Sequence, residues 1–247
     1  MTAPAAERPP ALELDGISAG YDGTIVCTDL SLTVPAGGVT ALLGANGAGK
    51  TTTLRVAAGL LRPAPGAVRV NGADVTRLPA HRRAQAGVCL IPEGRGIFRS
   101  LTVAENLRLQ GPPRAPADRL QRVIDVFPAL RRHLGQEAGS LSGGEQQMVA
   151  LARAYLTNPG LVLVDEASFG LSPVMVDQVF ATLRDLAATG AALLIVEQYV
   201  HRALEVADQV VVLNRGQVLF SGPPAELGED VLLRSYLGAD GGSPPAD

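Results

Sequence analysis

The chain carries one lysine against twenty arginines, and that lysine, Lys50, closes the run Gly44-Ala45-Asn46-Gly47-Ala48-Gly49-Lys50-Thr51. The spacing fits GxxxxGK[ST], the pattern of a loop that cradles a nucleoside triphosphate. Arginine serves wherever a planar fork or a generic cation suffices. A phosphate chain wrapped by backbone needs a compact charge on a slim stem, which lysine supplies. Glycines without a Cβ let the backbone approach the anion with its N–H groups inward, and the positive end of a following helix adds to the same site. Thr51 then offers a hydroxyl to magnesium, and Gly44 to Thr52 become the expected nucleotide-contacting residues. At average residue usage the octapeptide pattern arises on the order of once per hundred chains of this length.

A second glycine run, Leu141-Ser142-Gly143-Gly144-Glu145-Gln146-Gln147, puts Ser142 at the N-cap of a helix predicted over Glu145 to Leu156. The serine hydroxyl and the free N–H groups of the helix start make a second anion reader, with a plain helix cap as the competing reading. LSGGE in order arises by chance only about once in two thousand chains. Farther on, Leu161-Val162-Leu163-Val164-Asp165-Glu166 ends an apolar strand with two adjacent carboxylates. Side chains alternate along a strand, so the two acids are expected to do different work. Asp165 would hold magnesium through water and Glu166 would act as general base on the attacking water, with a solvated acidic turn after the strand as the competing reading.

The phosphate loop followed by LSGGE resembles the ATP-binding cassette ATPases, and the resemblance runs from about Leu12 to Leu237. It implies a P-loop parallel-sheet core of α/β class with an N-terminal antiparallel β subdomain and an inserted helical subdomain. ATP and magnesium are the implied cofactors. Ser142, Gly143, Gly144 and Glu145 would meet the ATP of a second cassette, so that each nucleotide lies between two chains. Tyr21 falls where the family stacks an aromatic ring on adenine, with a half-buried turn tyrosine as the rival. Three positions depart from the commonest cassette sequence. Glu93 stands where most have a glutamine touching magnesium and water, Gln198 where most have a γ-phosphate-sensing histidine, and Ser172 where most have an aspartate. Glu93 keeps carboxyl-type oxygens for magnesium, while Gln198 removes a group that titrates near neutrality.

The runs Ile91-Pro92-Glu93-Gly94-Arg95-Gly96-Ile97-Phe98, Leu101 to Leu107, Val196-Glu197-Gln198 and Ser235-Tyr236-Leu237-Gly238 look like an ATPase subunit of branched-chain amino-acid importers. Urea and short-amide importers share much of this. The implied partners are a second cassette, identical or related, two transmembrane permease subunits and an extracytoplasmic solute-binding protein. The implied location is the cytoplasmic face of the plasma (inner) membrane, as a peripheral subunit. Phe98 and Leu101 either line a groove for the permease or sit in the core.

Composition sets the frame. With 247 residues, 47% of them apolar and 18% charged, the chain can bury a large core. The net charge of -3 and the lack of a dense basic block argue against a nucleic-acid partner. Cys27 and Cys89 lie far apart, and His81, His133 and His201 lack metal-ligand spacing, which suggests a reduced, zinc-free protein. No apolar run approaches the roughly 20 residues that span a bilayer, and Met1 to Pro10 lacks a signal-peptide core.

The elements that position the motifs are legible as strands at Leu12 to Leu14, Thr24 to Val34 and Val39 to Leu43. A turn over Gly20 to Gly23 separates the first two, and a helix from Lys50 to Leu60 comes after the phosphate loop. Further apolar runs at Val88 to Ile91, Leu161 to Val164, Leu193 to Val196 and Val210 to Leu213 suit strands buried on both faces of a parallel sheet. Residues 11–96 and 160–237 form the expected nucleotide-binding core, and 97–159 a helical signature insert broken near Gly111 to Pro116. Residues 1–10 and 238–247 are expected to be disordered tails. A P-loop GTPase or small-molecule kinase leaves LSGGE idle, and no NKxD motif is present. A non-transport cassette and a binding-only cassette remain as rivals.

Overall fold

The structure, a computed structural model, describes residues 8–111 and 117–237. Strands β1 (Leu12–Tyr21) and β2 (Thr24–Val34) form a hairpin whose connection, Asp22-Gly23, takes positive φ at both residues. β1 continues well past the expected Leu14 and takes in Gly20 and Tyr21, which the sequence pattern places in the turn. A Cβ on Gly20 would sit 1.9 Å from the Thr24 carbonyl oxygen, so the missing side chain is what lets the strand run on beside its partner.

β3 (Val39–Leu43) leads into the phosphate loop and helix α1 (Lys50–Ala58). The helix stops short of the expected Leu60 because Gly59 takes the left-handed conformation, φ 76°, and its N–H turns back on the last carbonyls. β4 (Ala67–Val70) and β5 (Ala73–Asp74) complete an antiparallel sheet in the order β2-β1-β4-β5. Both escape the sequence reading because strands this short show no period.

The chain then forms α2 (Ala80–Gln85), β6 (Val88–Ile91), α3 (Val103–Gln110), α4 (Ala117–Val126), 3-10 turns at Pro128–His133 and Ala138–Ser140, and α5 (Gly143–Thr157). It continues through β7 (Leu161–Asp165), α6 (Pro173–Ala188), β8 (Ala192–Val196), α7 (Val200–Val206), β9 (Gln209–Asn214), β10 (Gln217–Gly222) and α8 (Glu229–Leu237). The second sheet has the order β10-β9-β3-β8-β7-β6, parallel throughout except for β10 at its edge.

Its strands read as unbroken apolar runs because both faces are covered. On β3 and β7, Val39, Ala41, Leu43, Val162 and Val164 point into one buried cluster with α5 and α6. Leu42, Leu161 and Leu163 point into another, with α1 and the antiparallel sheet. Val103, Val123 and Phe127 belong to the first cluster, so the segment between β6 and β7 packs on the sheet rather than around a core of its own. The break expected over Gly111 to Pro116 falls mostly outside the described residues, as do most of the two expected tails. No described helix is long and apolar enough to cross a membrane. Cys27 and Cys89 are buried free thiols.

Candidate functional site

The ends of β3, β7 and β8 lie side by side, and the segments leaving these three strands form one cleft. After β3 the backbone curls through Gly44 (φ 144°), Gly47 (φ 81°) and Gly49 (φ 104°). A Cβ on Gly44 would stand 2.4 Å from the Leu213 carbonyl oxygen, so only glycine fits there. Gly49 caps α1 without a side chain, and the first turn of the helix carries no acid. The leading N–H groups and the positive end of the helix are therefore uncompensated within the chain, which is the arrangement that binds an anion. Lys50 Nζ donates to the Gly44 and Ala45 carbonyl oxygens at 2.7 and 3.0 Å. Burial lowers its pKa, opposed by Glu166 and Asp165.

Asp165 ends β7, 5% exposed, and accepts from Thr51 Oγ1 at 3.2 Å. Burial raises its pKa to about 6, with Glu166 and Glu93 adding to the rise and Thr51 and Arg55 opposing it. A carboxylate held near neutrality by burial and like charges suits a hard cation. The Thr51 hydroxyl and the Asp165 carboxylate, side by side, are oxygen donors of the kind a hard cation takes. No group of three or more metal-ligating acids, histidines or cysteines gathers among the described residues, in keeping with that sparse set. Glu93 is exposed and lines the same cleft.

Glu166 lies beyond the strand, at φ 46°. The two acids take different partners, Thr51 for Asp165 and Gln198 for Glu166, and Glu166 sits in a left-handed turn rather than on the strand. The Glu166 N–H donates to the Val196 carbonyl at 2.9 Å, and Glu166 Oε2 accepts from Gln198 Nε2 at 2.9 Å. Asn46, Gly47, Gly49, Lys50, Thr51, Thr52, Glu93, Glu166 and Gln198 surround a cleft of about 410 Å³, together with Val26 and Phe169. The last two have no chemical signature and were not legible in the sequence.

Tyr21 lies outside that lining. Its hydroxyl accepts from Arg55 NH1 at 3.1 Å and the guanidinium stands 5.7 Å from the ring centroid, so Arg55 orients the ring. Ser142, Gly143, Gly144 and Glu145 are also elsewhere. Ser142 caps α5 in a reciprocal box: Glu145 N donates to Ser142 Oγ at 3.3 Å, and Ser142 N and Oγ donate to Glu145 Oε2 at 3.0 and 2.7 Å. Gly143 and Gly144 are the first turn of that helix, which begins before the expected Glu145. Glu145 Oε1 is held by His133 Nε2 at 2.9 Å, with Arg132 at 3.5 Å. Arg95, three residues after Pro92, donates to the Gln146 side chain and so ties the segment after β6 to α5.

One chain thus assembles the phosphate loop, Asp165, Glu166, Gln198 and Glu93, and leaves the LSGGE turn apart from them. Phe98 is exposed beside a second cavity of about 400 Å³, while Leu101 is half-buried. Leu60 and Leu109, also exposed, line that cavity with Phe98, and its lining includes Gln110, whose buried amide nitrogen and oxygen find no hydrogen-bond partner among the described residues.

The model of the family described as "ABC transporter" matches residues 27–168. A high-affinity branched-chain amino acid transport ATP-binding protein, BraG of Pseudomonas aeruginosa, is 36% identical over 231 residues, 92% of this chain and 99% of that one. The lipopolysaccharide export system ATP-binding protein LptB of Acidithiobacillus ferridurans is 35% identical over 232 residues, 92% of this chain and 96% of its own. A solved ATP-binding subunit of an ABC transporter superposes with a TM-score of 0.77 at 29% identity, covering 91% of this chain and 92% of that one. The match over more than half of the chain, on the fold and the phosphate cleft described, places this protein in the ABC transporter family, as one of its ATPases.

Proposed function

We propose that this chain is the ATP-hydrolysing subunit of an ABC importer, powering the uptake of branched-chain amino acids through membrane permease partners. The observation that carries the reading is the separation within one chain of two anion readers, a phosphate cleft and a capped LSGGE turn. A triphosphate recruits both only when two cassettes face each other, and their closure excludes water from the reacting phosphate. Two such chains, like or unlike, then hold two nucleotides between them.

In the cleft, Lys50 and the N–H groups of Gly47 to Thr52 hold the phosphates. Glu166 takes the proton of the attacking water, and Gln198 keeps its carboxylate turned toward the cleft. Thr51 and Asp165, with Glu93 at hand, would hold magnesium, which would neutralise charge on the phosphates. Tyr21 presents a flat face for the base. Ser142 and the first N–H groups of α5 serve the other chain's nucleotide. Ser172, which starts α6 without a side-chain cap, offers a hydroxyl where the family commonly has a carboxylate.

The groove around Phe98, Leu60 and Leu109 suits the permease, whose inserted segment would meet the unpaired amide of Gln110. A solute-binding protein outside the membrane completes the importer. Import of branched-chain amino acids is favoured by the likeness to BraG, and the likeness to LptB supports lipopolysaccharide export as the second reading. Purifying the complex from its own membranes and weighing its subunits decides between them. Permease subunits that retain branched-chain amino-acid uptake on reconstitution support the proposal, and export-type partners overturn it.

A further inference from the structure

Glu197 is 1% exposed, sits between Val196 and Gln198, and has no part in the chemistry described above. Its side chain turns away from the cleft and grips the segment after the acid pair. Ser168 N donates to Glu197 Oε1 at 3.1 Å, and the Ser168 hydroxyl donates to Oε2. Ser168 is itself fully buried. Three successive residues at the end of β8 therefore hold three points of the turn after β7: Val196 holds the Glu166 N–H, Glu197 holds Ser168, and Gln198 holds the Glu166 carboxylate. Beyond Ser168 the chain leaves as the loop Phe169 to Ser172, with Phe169 59% exposed.

We propose that Glu197 is a positioning residue for hydrolysis: by holding Ser168 through both carboxylate oxygens it fixes the turn on which Glu166 sits and the root of the loop facing a second cassette.

The grip is tight only while Glu197 is charged. A carboxylate accepts from both Ser168 donors, whereas a protonated acid has one oxygen that must donate instead. Burial is the largest influence on this group and raises its pKa to about 7, with Glu166 adding to the rise and the N–H and hydroxyl of Ser168 and the Gln198 N–H opposing it. Glu166, from the turn after β7, is a charged group that acts on it, and no salt bridge to it forms among the described residues. The carboxylate therefore loosens its hold as pH falls through neutrality, and turnover falls with it.

The proposal rests on the ATPase reading, so two readouts separate them. In the assembled transporter, Glu197→Gln keeps one acceptor but turns an N–H₂ toward a Ser168 donor. The maximal rate should drop about tenfold at pH 8 with KM for ATP within about twofold, and the acidic limb near pH 7 should vanish. An unchanged rate at pH 8, a limb that persists, or a loss confined to KM overturns the proposal. Independently of activity, amide hydrogen exchange across 165–172 in the nucleotide-free chain should quicken about tenfold in Glu197→Gln while the phosphate loop stays as in the parent. Unchanged exchange there overturns the proposal even if the chain hydrolyses nothing, whereas loss of all hydrolysis in the parent counts against the ATPase reading alone.

Discussion

Gln198 Nε2 donates to Glu166 Oε2 at 2.9 Å, so the proposed general base is oriented by a carboxamide, a group that neither gains nor loses a proton. Position 198 itself contributes no titration near neutrality. In the Glu197→Gln background any limb near pH 6.5 should persist unchanged in Gln198→Ala, and Gln198→His should add a limb of its own. A limb traced to wild-type Gln198 by its loss in Gln198→Ala would defeat this.

Glu166→Gln keeps the shape of the side chain and its contact with Gln198 while removing the base. Hydrolysis should fall at least about a hundredfold, while ATP-dependent pairing with its cassette partner persists and lengthens. Chromatography with ATP and with ADP reads the pairing, and an active Glu166→Gln protein would remove Glu166 from the role assigned to it.

Because Lys50 is the only lysine, amine-reactive reagents have two targets in the chain, its ammonium and the N-terminal amine. Burial lowers the Lys50 pKa, which favours the reactive free amine, yet the side chain is 6% exposed and tied to two carbonyls, so labelling should be slow. Saturating ATP should protect it further without altering the N-terminal signal. Mass spectrometry of the labelled protein measures both.

Asp165 stabilises the nucleotide-free fold best when protonated. Its pKa is raised from 3.8 to about 6, so that contribution is complete below about pH 4 and is lost as pH rises to about 6. Asp165→Asn should match the parent's melting temperature at pH 4 and exceed it at pH 7.5. The gain should be about 1 kcal/mol, or roughly 3 °C, once the water in the open cleft has screened the charge. Thermal unfolding across that range checks it, and Mg-ATP should narrow the difference.

Thr102 and Ser142 start α3 and α5 with the same reciprocal contact to a glutamate three residues on. Replacing either by alanine should cost about 1 kcal/mol of stability. Only Ser142→Ala should also impair ATP-dependent pairing and turnover, since Thr102 faces no nucleotide in the proposed assembly. Equal functional loss in both variants would mean that Ser142 acts only as a cap.

Much of this was legible in the sequence. Runs such as Val88–Ile91 and Leu161–Asp165 announced doubly buried strands because burial on both faces erases the polar alternation, and the phosphate loop announced itself through glycine and lysine spacing. Ser142 was readable as a cap because capping is local. What escaped depends on contacts distant in sequence. Nothing near Glu197 reveals Ser168 as its partner, and nothing near Arg95 points to Gln146. The edge strand β10 alternates in burial, with Val218 and Phe220 half-buried between exposed neighbours, but the apolar Leu219 between them hides that period in the sequence. The left-handed turn at Glu166 escapes for another reason, since a single left-handed residue leaves no periodic trace.

Since the phosphate cleft and the LSGGE turn lie apart on one molecule, every copy in the proposed paired assembly would belong to two reaction chambers at once. Damage to either half is then never private to the chain that bears it: a subunit spoiled at its serine turn silences a neighbour whose own lysine loop is sound.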